Sequence, residues 1–233
     1  MAGIISEPIQ SEGGDNHGSA YFFQGLKKIC QKHDISLMMD EVQTGAGASG
    51  KMWAHEHFGL EADVVTFSKK MLSGGVYHNM EHRPPHPGRI LNTWVGDPHK
   101  IIMLEQVSHS IILQRVIVTI NFQVIKTIRE ENLLERVNKT GSTILSGLAD
   151  LESRFSEVLS SSRGLGTLCA VDVKNVETRD KILHGLKQRG INLGGCGDST
   201  IRIRPSLTFT PHHASIMLDN IDAVMAEMYN RGN

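Results

Sequence analysis

The chain has 233 residues, with 24 Lys+Arg against 25 Asp+Glu and a formal net charge of −1. So even a balance gives no electrostatic basis for binding nucleic acid or a membrane surface, and the length suffices for one large domain, or one and a half, with a full core. The three cysteines, Cys30, Cys169 and Cys196, lie far apart without CxxC spacing, which argues against a disulfide framework or a zinc site and fits a reducing compartment.

In chain order, Ala2 to Ser6 predicts a strand at the very start, as if the chain began inside its own sheet. IQSEGGDNHG (9–18) reads as loop from its Gly, Asn and Asp content. Residues 21–33 place Phe22, Phe23, Leu26, Ile29 and Cys30 on one helical stripe. SLMMDEV (36–42) is a short apolar strand ending in acids, TGAGASG (44–50) a flexible loop, and DVVTFS (63–68) another strand. Strand, helix, strand and strand is the rhythm of a mainly parallel sheet covered by helices. RPPHPG (83–88) is loop and ILNTW (90–94) a short strand. From Asp97 to Asn138 the only helix breaker is Pro98, and SIILQRVIVTINF (110–122) within that window is β-branched and nearly uncharged.

The character changes after Gly164. RGLGTLCAVDV (163–173) predicts a strand, ETRDKILHGLKQRG (177–190) a helix, INLGG and STIRIRPSL two strands, and SIMLDNIDAVMAEMY a closing helix. This order predicts an α/β chain in two domains, a mainly parallel part over residues 1–138 and a smaller α+β domain over 139–233. No apolar run is long enough to span a bilayer, and no signal or transit pattern is present.

Glu12, Asp40 and Lys69 stand at the ends of predicted strands, where ligands bind in open α/β sheets. A lysine that forms a Schiff base with an aldehyde cofactor, together with an aspartate on its pyridine nitrogen, is the pyridoxal-phosphate arrangement. The aspartate keeps the pyridinium protonated, and burial helps the lysine lose its proton before it attacks a carbonyl. Each residue alone has an ordinary reading: such an Asp caps a turn, and such a Lys is solvated. Arg202 and Arg204 alternate on a predicted strand, so one of them, taken as Arg204, faces water. His55 and His57 have ligand spacing but no third ligand nearby, so no metal is expected. Cys196 reads as a small buried residue in a Gly-rich turn, and His212 and His213 as the start of the last helix.

EPIQSEGGDNH (7–17), MDEVQTGAGASGKMWAHEHFGL (39–60), ADVVTFSKKMLSGG (62–75), RILNTWVGDP (89–98), RGLGT (163–167) and GINLGGCGDSTIRIRP (190–205) together resemble the class III, fold-type I aminotransferases, and within them the eukaryotic 4-aminobutyrate branch. The family signature sets its Schiff-base lysine six residues after the Asp that opens the strand and directly after a small residue. That selects Lys69, counted from Asp63 and following Ser68; counting back from the glycines selects Lys70 instead. In an extended chain only one of the two can face the cofactor.

The resemblance implies pyridoxal 5'-phosphate as cofactor, with Asp40 on its pyridine nitrogen, Gln43 on its phenolic oxygen and Thr93 on the phosphate held by a neighbouring subunit. It implies that Arg202 binds the α-carboxylate of glutamate or 2-oxoglutarate, and that Glu12 pairs with Arg202 when the donor has no α-carboxylate. The implied reaction turns 4-aminobutyrate and 2-oxoglutarate into succinate semialdehyde and glutamate, in a homodimer with shared sites in the mitochondrial matrix. The alternatives are another ω-amino donor such as ornithine, or a fragment without catalysis.

Two departures from the family stand out. The resemblance covers only its second half, which implies that the phosphate-cradling turn, the ring-stacking aromatic, the arginine for the distal carboxylate and a cluster-binding cysteine pair lie upstream. Residues 108–123 also interrupt a stretch that relatives run through, and exposed they would be prone to β-aggregation. The expectation is an insertion from an imperfect gene model, with retained intron sequence and an internal start.

Overall fold

A computed structural model describes residues 3–86, 89 and 113–229, and the backbone alone over 113–121. Two compact units draw on interleaved segments. The first takes Met1–Pro8, Ser19–Ala46 and Trp53–Asn132, and the second takes Ile9–Gly18, Gly47–Met52 and Leu133–Asn233.

In the first unit, β1 (Gly3–Ser6), β4 (Ser36–Glu41), β5 (Val64–Phe67) and β6 (Gly75–His78) form one sheet in the order β1-β4-β5-β6. β4 lies parallel to both β1 and β5, whereas β6 pairs antiparallel to β5. The helix α1 (Ala20–Lys32) leads into β4, and Ser19 caps it by accepting the Phe22 N–H through Oγ at 3.1 Å. Alternation along SLMMDE turns Leu37, Met39 and Glu41 to the buried side. Leu37 and Met39 pack with Phe23, Cys30, Phe58 and Val65, and the Phe23 and Phe58 rings stack 4.4 Å apart. Burial of each such large side chain contributes about 1.5–3 kcal/mol.

Asp63 ties this unit together. Its Oδ2 accepts the Leu37 N–H at 2.8 Å and its Oδ1 accepts from Lys27 Nζ at 2.9 Å, while its backbone carbonyl accepts the Asn79 N–H at 3.0 Å. One residue thus joins α1, the start of β4 and the end of β6. The helix α2 (Leu113–Glu130) ends the unit and lies against the turn that follows β5. Of the expected insertion, residues 108–112 lie outside the described residues, as does the expected strand 90–94, while Leu113–Gln123 belongs to α2. Where it is described, from Leu113 on, the β-branched run is helix, and no Gly or Pro breaks it before α2 ends at Glu130.

In the second unit, β7 (Leu159–Leu165), β8 (Leu168–Val173), β9 (Gly194–Cys196) and β10 (Thr200–Ile203) make an antiparallel sheet in the order β7-β8-β10-β9. α3 (Leu133–Arg154), α4 (Val176–Gln188) and α5 (Pro211–Tyr229) complete it, with Ile144, Leu148, Val171, Ile182, Ile203 and Met225 in one core. The run 163–173, expected as one strand, holds the end of β7, a hairpin turn at 166–167 and all of β8. Gly166 adopts a left-handed φ of 58°, and a Cβ there would lie 2.5 Å from the backbone of Ser49.

The segment 9–18, expected as loop, contains the paired strands β2 (Ile9–Gln10) and β3 (Asn16–His17). The expected flexible loop 44–50 is buried at all seven positions. Its second part is held within the second unit, where the Ala48 carbonyl accepts the Thr167 N–H at 3.0 Å and the Gly50 carbonyl accepts from Asn138 Nδ2 at 3.1 Å. Glycine here permits close backbone approach rather than motion.

Candidate functional site

Register puts the first acid in place. β4 and β5 run parallel with Asp40 opposite Thr66, so Asp40 stands at the carboxyl end of the pair. Its Oδ1 accepts from Thr66 Oγ1 at 2.9 Å and from the Val42 N–H at 3.0 Å. Two bonds on one oxygen fix the carboxylate plane, and Oδ2 makes no hydrogen bond among the described residues. Asp40 is half-buried, as is Gln43 in the turn beyond it.

Lys69 lies two residues past the end of β5 and opens a 3-10 turn, Lys69–Met71. Its φ of 47° is left-handed, a region that costs a non-glycine residue about 1–2 kcal/mol. The turn is held by the Met71 N–H on the Ser68 carbonyl at 3.1 Å and the Leu72 N–H on the Lys69 carbonyl at 2.8 Å. Met71 and Ser73 are buried beneath it. Two expectations are corrected. The chain is not extended at 69–70, so alternation of faces does not separate the two lysines. Lys69 is also exposed and Lys70 half-buried, so the expected burial of the Lys69 side chain is not found among the described residues. Thr93 lies outside the described residues.

Glu12 and Arg202 belong to the second unit, and Arg202 Nη1 donates to Glu12 Oε1 at 2.6 Å. The Glu12 side chain is 75% exposed and that of Arg202 21%, a pairing that water weakens and that opens at little cost. The backbone beneath is far better secured. The Glu12 carbonyl accepts the Gly197 N–H at 2.9 Å, and Arg163 donates to the Gly14 carbonyl at 2.7 Å, the Asp15 carbonyl at 2.9 Å and Asp172 Oδ1 at 2.8 Å.

Arg204 does not face water as expected. Its guanidinium bonds the fully buried Asp15 and the carbonyl of Ile203. Burial pulls the Arg204 guanidinium below its ordinary value, with Asp15 opposing. Burial likewise pushes the nearby Cys169 thiol up to about 12, so it is an inert core residue.

Sequence reasoning missed Asp15, Arg163 and Asp172, because their pairing depends on which hairpin meets which strand. It also missed Glu41, which is fully buried directly after Asp40. Alternation along β4 was the available signal, since it places residue 41 on the same face as Leu37 and Met39. His55, weighed as a metal ligand, instead donates to Glu41 Oε1 from Nδ1 at 2.8 Å.

The family profile described as aminotransferase class III matches residues 1–225. The chain is 46% identical over 229 residues to the mitochondrial 4-aminobutyrate aminotransferase of Mus musculus and 45% identical over 229 residues to that of Homo sapiens, in each case over 97% of this chain and 42% of the relative. It is 43% identical over 231 residues to the 4-aminobutyrate aminotransferase of Dictyostelium discoideum, over 98% of this chain and 43% of that protein. Among solved structures, it superposes on an ornithine aminotransferase of Plasmodium yoelii with a TM-score of 0.78 at 29% identity, over 97% of this chain and 57% of that one. With the lysine aminotransferase of M. tuberculosis the TM-score is 0.77 at 27% identity, over 96% of this chain and 49% of that one. The chain therefore spans less than half the length of the curated relatives it matches.

Proposed function

The chain belongs to the class III aminotransferases, enzymes that use pyridoxal phosphate to exchange amino and oxo groups between small molecules, and on that premise we propose that it carries the cofactor and α-carboxylate residues of a 4-aminobutyrate–2-oxoglutarate aminotransferase. The observation that carries the substrate reading is the Glu12–Arg202 pair. An enzyme whose amino donor lacks an α-carboxylate, and whose product glutamate has one, needs an arginine that can be neutralised in one half-reaction and freed in the other. A carboxylate on an exposed side chain, above a secured backbone, meets that need by rotation alone.

The donor set at the β4–β5 end fits pyridoxal phosphate: a carboxylate for the ring nitrogen, an amide for the phenolic oxygen and an amine for the aldehyde. When bound, the cofactor supplies an electron sink for a substrate carbanion. Asp40, its plane fixed by Thr66 and Val42, holds the proton on the ring nitrogen. Gln43 donates to the phenolic oxygen. The Lys69 amine would hold the cofactor's aldehyde carbon at rest, and its Nζ would be the group that takes and returns a proton at the substrate carbon. Arg202 orients glutamate or 2-oxoglutarate as a two-pronged donor to the α-carboxylate. Thr93 serves the phosphate held by a second subunit of a homodimer, and the mitochondrial names of the relatives support the matrix as location.

The test is direct. The purified chain mixed with pyridoxal phosphate is expected to develop a near-visible absorption band that borohydride fixes to Lys69, as peptide mapping would locate. Lys69→Ala is expected to lose the band completely. Absence of the band at saturating cofactor sinks the reading for this chain, and a label on Lys70 reassigns the amine. Product analysis with 4-aminobutyrate against ornithine separates the donors. A second reading, a chain without catalysis by itself, is favoured by the exposure of Lys69.

A further inference from the structure

We infer that Glu41, clasped by Thr44 and His55, is a positioning residue for the cofactor, setting the geometry of Asp40 and Gln43. This rests on the reading of those two residues as cofactor ligands. Glu41 is a fully buried carboxylate in the first unit, and its burial is stabilised only because every face of it is bonded. Oε1 accepts the His55 N–H and His55 Nδ1, each at 2.8 Å, and Oε2 accepts from Thr44 Oγ1. The backbone closes the same loop, with the Glu41 carbonyl accepting the Gly45 N–H at 2.9 Å.

These bonds bracket the turn 41–45 at both ends. Asp40 lies just before the bracket, and its Oδ1 takes the Val42 N–H from inside it. Gln43 lies between the two anchors. The turn is closely packed at Gly45, where a Cβ would meet the Trp53 ring at 2.6 Å and the Glu41 carbonyl at 2.8 Å. Trp53 is itself braced 5.2 Å from the Tyr77 ring, on the strand next to β5. His55 stands on a short 3-10 segment, Ala54–Phe58, whose Phe58 is stacked in the sheet's core. The clasp therefore fixes Asp40 and Gln43 to the sheet through side chains that need never touch the cofactor.

The experiment compares Thr44→Val, which keeps the shape and removes the hydroxyl, with Thr44→Ser, which restores it, and adds Glu41→Gln. Each full-length chain is titrated with pyridoxal phosphate, following its near-visible band, while far-UV circular dichroism and urea unfolding without cofactor monitor the fold. Loss of one bond to a buried carboxylate is expected to raise the dissociation constant about tenfold in Thr44→Val and Glu41→Gln. The absorption maximum of the bound cofactor should shift in both, with Thr44→Ser close to the parent chain. Unchanged affinity and an unmoved band in folded Thr44→Val overturn the inference, even if its unfolding midpoint falls. Asp40→Ala is the control for the underlying reading. If it loses the cofactor while Thr44→Val does not, only the inference fails. If Asp40→Ala binds like the parent, or the parent takes up none, the reading fails and the inference with it.

Discussion

In the first unit Lys69 is exposed and forms no ion pair among the described residues, whereas in the second unit Arg202 and Arg204 each meet an acid of their own unit, Glu12 and Asp15. The contrast fits what each cation is proposed to do. An amine that must be neutral before it attacks a carbonyl is hindered by a nearby anion, which stabilises the ammonium form. A guanidinium that alternates between two kinds of substrate needs a carboxylate within reach. The two acids differ again between themselves: Asp15 is fully buried while the Glu12 side chain is 75% exposed. One pair secures the loop, and the other is free to open.

That difference can be broken by substitution, and the largest effect belongs to Asp15. Asp15→Ala leaves the Arg204 guanidinium without its buried partner and is expected to destabilise the second unit by about 3 kcal/mol in urea unfolding. A loss of under about 0.5 kcal/mol, the usual range of surface substitutions, would make the pair no more structural than Glu12–Arg202.

The next effect is a pH dependence in the first unit. Burial alone would push the Asp63 carboxyl up, but the bonds from Lys27 and the Leu37 N–H, together with the Lys27 charge, hold it below its ordinary value. A carboxyl with a lowered value in the folded chain contributes stability that is fully present above its unfolded value of about 3.9 and fades as pH falls through the lower folded value. Unfolding midpoints of the parent chain should therefore drop on acidification below about pH 4, and those of Asp63→Asn should start lower and drop less. Parallel curves for the two chains would remove Asp63 as the tie.

The smallest effects fall on the groups proposed for chemistry. Lys69→Ala is expected to change stability by no more than about 0.5 kcal/mol, since the side chain is exposed, while abolishing cofactor fixation. Glu12→Gln should leave the unfolding midpoint where it is, in contrast to Asp15→Ala. A large stability loss from either would mean the residue is held for the fold and not for the site.

Much of the architecture was legible locally. The stripe through Phe23 and Cys30 predicts α1, alternation through Leu37 and Met39 predicts β4, and the position of Asp40 at a strand end follows from the two together. What misled were glycines and arginines. TGAGASG reads as a flexible loop because Gly permits many conformations, but the same absence of a side chain permits tight burial, and composition does not distinguish the two. Arg202 and Arg204 differ in how buried an acid each one meets, and both acids, Glu12 and Asp15, lie far away in sequence.

By itself, the sequence determined the family, elements such as α1, β4, β5 and the last helix, and the residue types offered to a cofactor, because these rest on local periodicity and on spacing along one chain. Only the tertiary structure decided that Lys69 sits in a strained turn, that Arg204 is anchored to the buried Asp15 while Arg202 pairs with the exposed Glu12, and that Glu41 is bonded on both oxygens. Each of those depends on burial and on partners brought together by strand register and chain crossing, and neither is written in the neighbouring residues.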